Sequence, residues 1–321
     1  MLNRYKLFAA ITLFMLVSKC FASYPDKAIR LIVPFPAGGA TDVVARALGG
    51  RLSQLTKQPV VVENKPGAGG NIGADYVAKS TPDGYTLLVA SPAEVAINEY
   101  LYPKMSYKPA VDLLPIAKLA ATPLVLVINI KTPSESLASF LQDIRQRSPG
   151  ANFASSGSGG PQHLAGELLR LRSGIAISHI PYKGGAPAMT DLLGGQVDLF
   201  FAGLTPAIPH IQSGKLRALG VSTVRRTPLL PQVPTIAEQG FPDFDIENWQ
   251  GIFAPANTPP AFIDLLSKLI AEISADKSYI EQLNAQGVSP SYMGPKDFGR
   301  FLTSERQKYA RLIKESGAKA D

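Results

Sequence analysis

Ile29-Arg30-Leu31-Ile32-Val33-Pro34-Phe35-Pro36-Ala37-Gly38-Gly39-Ala40-Thr41-Asp42-Val43-Val44 reads as a strand that passes through a proline–glycine loop into a helix. The apolar run 29–33 has the length and β-branched content of a buried strand. Beyond the loop, Val44, Leu48, Leu52 and Leu55 recur at helical spacing. Gly49-Gly50 inside that stretch weakens the helix's continuity. The same grammar follows downstream: a strand at Val60-Val61-Val62, a glycine-rich turn at 67–70, a helix near 71–79, a turn at Asp83-Gly84 and a strand at Leu87-Leu88-Val89. This βαβαβ order predicts an α/β fold with parallel strands and helices on the sheet's faces.

The middle of the chain repeats the pattern. Leu124–Ile130 is a continuous apolar strand, and Leu137, Phe140, Leu141 and Ile144 mark a helix. Phe153-Ala154 enters a second glycine loop, Ser155-Ser156-Gly157-Ser158-Gly159-Gly160, and Pro161 opens the next helix, where a missing N–H costs nothing. Strands are expected at 176–180, 198–202 and 216–221. Phe253-Ala254-Pro255 leads into a helix faced by Phe262, Leu265, Leu266, Leu269, Ile270 and Ile273. A last amphipathic helix carries Phe298, Phe301, Leu302, Tyr309, Leu312 and Ile313. Two α/β units in series, each opening with a strand–glycine loop–helix junction, would face their strand ends across a cleft.

Composition sets the outer bounds. The 321 residues are 45% hydrophobic and 18% charged, a globular composition with room for about two domains. Arg4 and Lys6, the apolar run Leu7–Val17, and Cys20 and Ala22 have the order of a secretory signal peptide. Cleavage after Ala22 is expected. Lys19 before Cys20 fits a lipoprotein signal badly. Removing residues 1–22 takes away three basic residues, no acidic one and the single cysteine, so the formal charge falls from +7 to +4. No cysteine pair is left for a disulfide or a CxxC site. The basic residues are scattered without interleaved aromatics, which argues against nucleic acid.

Each chemical motif has a bland counterpart. Gly67-Ala68-Gly69-Gly70-Asn71-Ile72-Gly73 is one residue too long for a dinucleotide fingerprint, and Glu94 does not follow a clear second strand directly. Ser158 lacks a glycine two residues before it, so a nucleophile elbow is absent, and no zinc, P-loop or HExxH spacing occurs. His179 and His210 read as structural or exposed, and Trp249 as a packing residue at a domain crossing. Lys183 fits both a solvated loop lysine and a ligand rim contact. Turn chemistry that needs φ > 0 accounts for the glycines of both junctions. Equally, a helix N-terminus with free amides, half a positive charge and neighbouring serine hydroxyls could hold an anion.

Seven stretches decide between these readings: IRLIVPFPAGGATDVVARAL (29–48), PVVVENKPGAGGNIGAD (59–75), ASSGSGGPQHLAGELL (154–169), IPYKGGAPAMTDLLGGQVDLFF (180–201), LRALGVST (216–223), VPTIAEQGF (233–241) and WQGIFAPANTP (249–259). In order and spacing, from Tyr24 nearly to the C-terminus, the chain resembles the Bug-type extracytoplasmic solute receptors of tripartite tricarboxylate transporters. The resemblance implies a two-domain periplasmic-binding-protein (Venus-flytrap) fold. Each domain would be a mostly parallel sheet flanked by helices, with two crossover strands near 120–126 and 245–252 as hinge. Residues 1–22 would be the signal peptide, 23–123 with 249–321 a discontinuous first domain, and 124–248 the second.

It further implies a monomeric periplasmic receptor, not an enzyme, without cofactor or metal. Such a receptor captures a dicarboxylate, tricarboxylate, acidic amino acid or aromatic acid and delivers it to membrane transporter subunits. A ligand-sensing subunit and a secreted enzyme on the same scaffold are the other readings. The family's clamp maps here onto Phe35, Pro36, Ala37, Gly38, Gly39 and Thr41 in the first loop, and onto Ser155, Ser156, Gly157, Ser158, Gly159, Gly160 and His163 in the second. Ser91, Tyr182, Lys183 and Gly184 complete the cleft. The family often has serine where Gly160 stands, so with Pro161 following, one hydroxyl and one amide donor are lost.

Overall fold

A computed structural model describes residues 24–320; the expected signal segment and its cleavage site lie outside the described residues. The first half holds β1 (Ile29–Val33), α1 (Ala40–Thr56), β2 (Val60–Asn64), α2 (Asn71–Ala78) and β3 (Thr86–Ala90). Next come β4 (Leu113–Asn129), α3 (Leu137–Arg145), β5 (Ala151–Ser155), α4 (Pro161–Ser173), β6 (Ile177–Pro181), α5 (Gly185–Gly194), β7 (Leu199–Gly203), α6 (Leu204–Gln212) and β8 (Leu216–Val221). The chain closes with β9 (Glu247–Pro255), α7 (Pro260–Ala275), α8 (Lys277–Ala285), β10 (Ser289–Met293) and α9 (Pro295–Ser316).

The strands run in the order β2-β1-β3-β9-β4-β7-β5-β6, with β8 and β10 also on β4. The two βαβ cores, β2-β1-β3 and β7-β5-β6, are parallel as expected. The strands that join them are antiparallel. β4 pairs with β9 and β10 along its first part, and with β7 and β8 from Leu124 onward. One 17-residue strand therefore passes from one half to the other, eleven residues earlier in start than its apolar run suggests. Ser222 stitches the return: its hydroxyl donates to Ile246 O at 2.6 Å and accepts from Leu124 N at 3.1 Å.

Three apolar clusters hold this frame. One lies between β1–β3 and helices α1, α7 and α8, and a second packs α5 and α6 on β7 and β8. The third runs through both halves, from Ile32 and Leu88 through Phe153 and Leu164 to Phe298 and Tyr309. Gly49 does not interrupt α1. A Cβ there would stand 3.3 Å from Val60 Cγ1 and 3.5 Å from Leu31 Cδ1, so the glycine lets the helix lie close on the sheet. Trp249 is fully buried as a packing residue, edge-on to Phe298 and Phe301, with Nε1 donating to Glu305 Oε2 at 2.8 Å. It fastens α9 to the crossing strands. α9 also touches both halves: Arg306 Nε donates to Val95 O, and Arg170 Nη2 of α4 donates to Ser316 O. No helix among the described residues is long and apolar enough to cross a membrane.

Candidate functional site

The carboxyl ends of the strands converge. β1 delivers Pro34–Gly39, β3 delivers Ser91, β5 delivers Ser156–Gly160, and β6 delivers Tyr182–Gly184. The helices that follow share one feature. α1, α2, α4 and α5 start from glycine N-caps, Gly39, Gly70, Gly160 and Gly184, and none has a side-chain cap. First-turn amides have no intrahelical acceptor, so the ends of α1, α4 and α5 present N–H donors and partial positive charge, whereas at α2 Asn71 N and Ile72 N already bond Ala68 O and Gly67 O.

In the first loop, Pro36, Ala37, Gly38 and Gly39 are exposed, Phe35 is half-buried and Thr41 is buried. The loop is pinned from below by Asp42, which accepts from Gly38 N (3.0 Å), Arg46 Nε (2.9 Å) and Asn64 Nδ2 (2.9 Å). Asn64 also donates to Phe35 O at 3.0 Å. Burial works to raise the Asp42 pKa, but the bonds from Arg46, Gly38 and Asn64 outweigh it and leave it below the ordinary range. The φ > 0 requirement falls on Gly38 (φ 88°). Gly39 does not share it, with φ −79° and ψ 167°.

In the second loop, Ser156, Gly157, Ser158 and Gly160 are half-buried, while Ser155 and Gly159 are buried. Ser155 supports the loop from inside rather than facing the cleft: its Oγ lies 2.6 Å from His179 Nε2 and donates to Gly157 O at 2.8 Å. Gly159 N donates to His163 Nδ1 at 3.1 Å, so that amide is engaged within the loop. Tyr182 N donates to Ser155 O, and the Tyr182 hydroxyl turns to Asp191 Oδ2 at 2.7 Å. Burial and that carboxylate push its pKa up to about 12. Lys183 is exposed and Gly184 half-buried.

The halves meet where Asn98 and Leu101, which the motif reading did not single out as site residues, face Gly159. A Cβ on Gly70 would stand 3.1 Å from both Phe35 Cζ and Glu94 Oε2, so ring, glycine and carboxyl share one spot. Asn98 donates to Gly69 O and Asn71 Oδ1, and its buried Oδ1 has no partner among the described residues. A Cβ on Gly159 would lie 3.2 Å from that Oδ1 and 2.9 Å from Leu101 Cδ1. Ser91 is buried, and Glu94 Oε1 and Oε2 accept from its N (2.7 Å) and Oγ (2.8 Å). Burial pushes the Glu94 carboxyl up to about 8 against those bonds, so near neutral pH it adds little negative charge. Ser91-Pro92-Ala93-Glu94 carries the S-x-x-E capping signature that could have flagged this carboxyl.

The described residues include no His/Cys/Asp/Glu group able to hold a metal. A surface cavity of about 820 Å³ lies at the opposite strand ends beside Lys27, Arg30, Tyr76 and Thr86. Its cations Lys27, Arg30 and Lys79 are paired with Asp83, Glu63 and Asp75, away from the convergent loops.

Residues 44–318 match the family model described as tripartite tricarboxylate transporter family receptor. Protein BugT of Bordetella pertussis is 41% identical, over 99% of both chains. Among solved structures, R. palustris Rpa4515 with adipate superposes with TM-score 0.86 at 34% identity, covering 93% of this chain and all of that one. MatC (Rpa3494) from Rhodopseudomonas palustris with bound malate gives 0.80 at 28% identity, covering 90% and 100%. The chain belongs to the receptor family of tripartite tricarboxylate transporters, with their two-domain binding-protein fold.

Asp42→Asn should destabilise the folded protein by about 1–3 kcal/mol at neutral pH, because the charged acceptor for Arg46 and two neutral donors is lost. The native carboxylate is held below its unfolded pKa. Its contribution is therefore present above the unfolded value, about 3.9, and disappears as pH falls through the lower native value. Urea unfolding of both proteins at falling pH should show the curves converging. A gap that persists in strong acid would contradict the assignment.

Proposed function

We propose that this chain is an exported periplasmic receptor that captures a small carboxylate between its two glycine loops and passes it to a tripartite membrane transporter. The observation that carries the reading is the set of three uncapped, glycine-started helix ends that follow the carboxyl ends of β1, β5 and β6. Such ends favour an anion by about 0.3–1 kcal/mol each, up to ~2 when partly buried. Micromolar binding needs about 8 kcal/mol. Hydrogen bonds to the charged oxygens, at ~1.5–3 kcal/mol each, and apolar burial against Phe35 supply the remainder. The adipate and malate of the two relatives are the chemistry this arrangement suits.

The ligand contacts we assign are Phe35 to Gly39 and Thr41 on one side, and Ser156 to Gly160 on the other. Tyr182, Lys183 and Gly184 are assigned to the rim, and Ser91 to the buried floor beside Glu94. The domains divide as 23–123 with 249–321 against 124–248, closing on β4 and β9. The protein is a monomer that binds without turnover; Ser155, the hydroxyl beside His179, is fully buried and bonded within its own loop.

Native mass spectrometry of material from the periplasm tests export and ligand together. The expected mass begins at Ser23, and added adipate or malate should appear as a noncovalent adduct that is returned unchanged. Equal binding of the neutral diamides would sink the anion reading, and a retained leader or acylated Cys20 the export reading.

A further inference from the structure

We propose that His163 and His179 are positioning residues whose stacked pair holds the second glycine loop in its ligand-ready shape. The proposal rests on that loop forming one wall of the ligand site. Gly159 N donates to His163 Nδ1 at 3.1 Å. A backbone amide can only donate, so Nδ1 carries a lone pair and the ring proton sits on Nε2. That Nε2 lies 4.0 Å from Glu167 Oε1. The two imidazoles stack with centroids 3.8 Å apart and planes 9° apart, backed by Phe153. His179 Nε2 meets Ser155 Oγ at 2.6 Å, and that hydroxyl reaches both the carbonyl and the amide of Gly157. Gly157 and Gly159, the two positive-φ residues of the loop, are therefore both tied to the imidazole pair.

The surroundings define what a proton would do. On α4, Glu167 favours charge on His163, and Arg170, bonded to Glu167 Oε2 at 2.9 Å, offsets it. From α9, Ser316 O holds Arg170 and Glu315 faces Arg172. Across the cleft, Asn98 and Leu101 face Gly159, and neither ionises. On β6 the neighbour is His179, and two imidazolium rings face to face at this distance repel. Protonating His163 Nδ1 turns the acceptor into a donor aimed at the Gly159 N–H. The loop loses its tie at the residue that abuts the other half.

The test uses the full mature protein, labelled with ¹⁵N at His and Gly, across about pH 8 to 5, where histidine titrates. His163 should be the Nε2–H tautomer at the upper end, and the Gly159 amide should shift with the same midpoint as His163. In His163→Asn, which keeps an oxygen acceptor near Nδ1 but cannot titrate, the Gly159 signal should stay flat. With adipate as probe, calorimetry should show the wild type losing about tenfold more affinity on acidification than His163→Asn. That difference removes the probe's own titration. An Nδ1–H tautomer, or a Gly159 amide indifferent to His163, overturns the proposal, and the wild-type spectra decide this even if the variant folds poorly. Failure of adipate to bind at any pH, with the amide coupling intact, counts against the ligand reading alone.

Discussion

Gly159→Ala is expected to cut carboxylate affinity by about two orders of magnitude and to lower stability by roughly 1–2 kcal/mol. Gly159 has φ 86°, so an L side chain costs roughly 1–2 kcal/mol there. The larger effect is steric. The new Cβ would sit 2.9 Å from Leu101 Cδ1 and 3.2 Å from Asn98 Oδ1. Leu101 is buried in the cluster that runs through both halves, so it has little room to retreat. Asn98 and Leu101 belong to the first half and Gly159 to the second, so opening the cleft relieves the overlap. The substitution therefore disfavours the closed, ligand-holding form, and apparent affinity falls with the closed fraction. Gly240→Ala is the control. It meets the same kind of φ, 99°, but lies outside both loops and nothing lies within 4 Å of its Cβ, so only backbone strain applies. Calorimetry with adipate, and small-angle scattering with and without it, should show weak binding and no compaction for Gly159→Ala. Unchanged affinity would mean that the halves do not close on this contact.

The parallel cores and both glycine loops were legible because each is local: an apolar run, a turn, a helical stripe. The crossing was legible only in part. The first part of β4 contains Pro115 and Lys118, which argue against a central strand. Tertiary partners override that reading. Lys118 is 3% exposed, 3.1 Å from Glu247 Oε2 and 4.4 Å from the centre of the Phe301 ring. β10, Ser-Pro-Ser-Tyr-Met, has no alternation and becomes a strand by pairing with β4. At the site, the loop backbones could be located, but not what supports them. Asp42 and Asn64 are 22 residues apart, and Ser155 and His179 are 24. The first loop's reliance on Asp42 and the second's on two histidines emerge only when strands bring those residues together. Gly39 illustrates the converse: two adjacent glycines look alike in sequence, yet only Gly38 needs the freedom.

Glu94→Gln is expected to leave stability near pH 4 almost unchanged and to raise it above wild type by several kcal/mol at about pH 9. Glu94 is fully buried, and burial pushes its carboxyl up to about 8 although Ser91 N and Oγ both bond it. In the unfolded chain the same group ionises near 4.3. Below that value both states hold the proton, and the contribution to stability is complete. Between it and about 8 the unfolded chain releases a proton that the native one keeps, so stability falls as pH rises. Above 8 the native carboxyl ionises too and the slope ends. At about 1.36 kcal/mol per pH unit between roughly 4.3 and 8, the fall is on the order of 5 kcal/mol. Glutamine reproduces the protonated group, with its oxygen accepting from Ser91 N and its amide donating to Ser91 Oγ, and has no proton to lose. Ligand binding should follow the same line. Glu94 Oε2 shares its spot with Phe35 and Gly70, so ionising it places a negative charge beside the loop that receives the anion. Wild-type affinity for adipate should drop from about pH 7 to pH 9 and that of Glu94→Gln should not, because only the former gains a charge. Urea unfolding and calorimetry across this range read the two effects separately. Parallel stability curves for the two proteins would mean that Glu94 is already ionised inside the fold, and the cleft would then need a cation that the two loops do not contain.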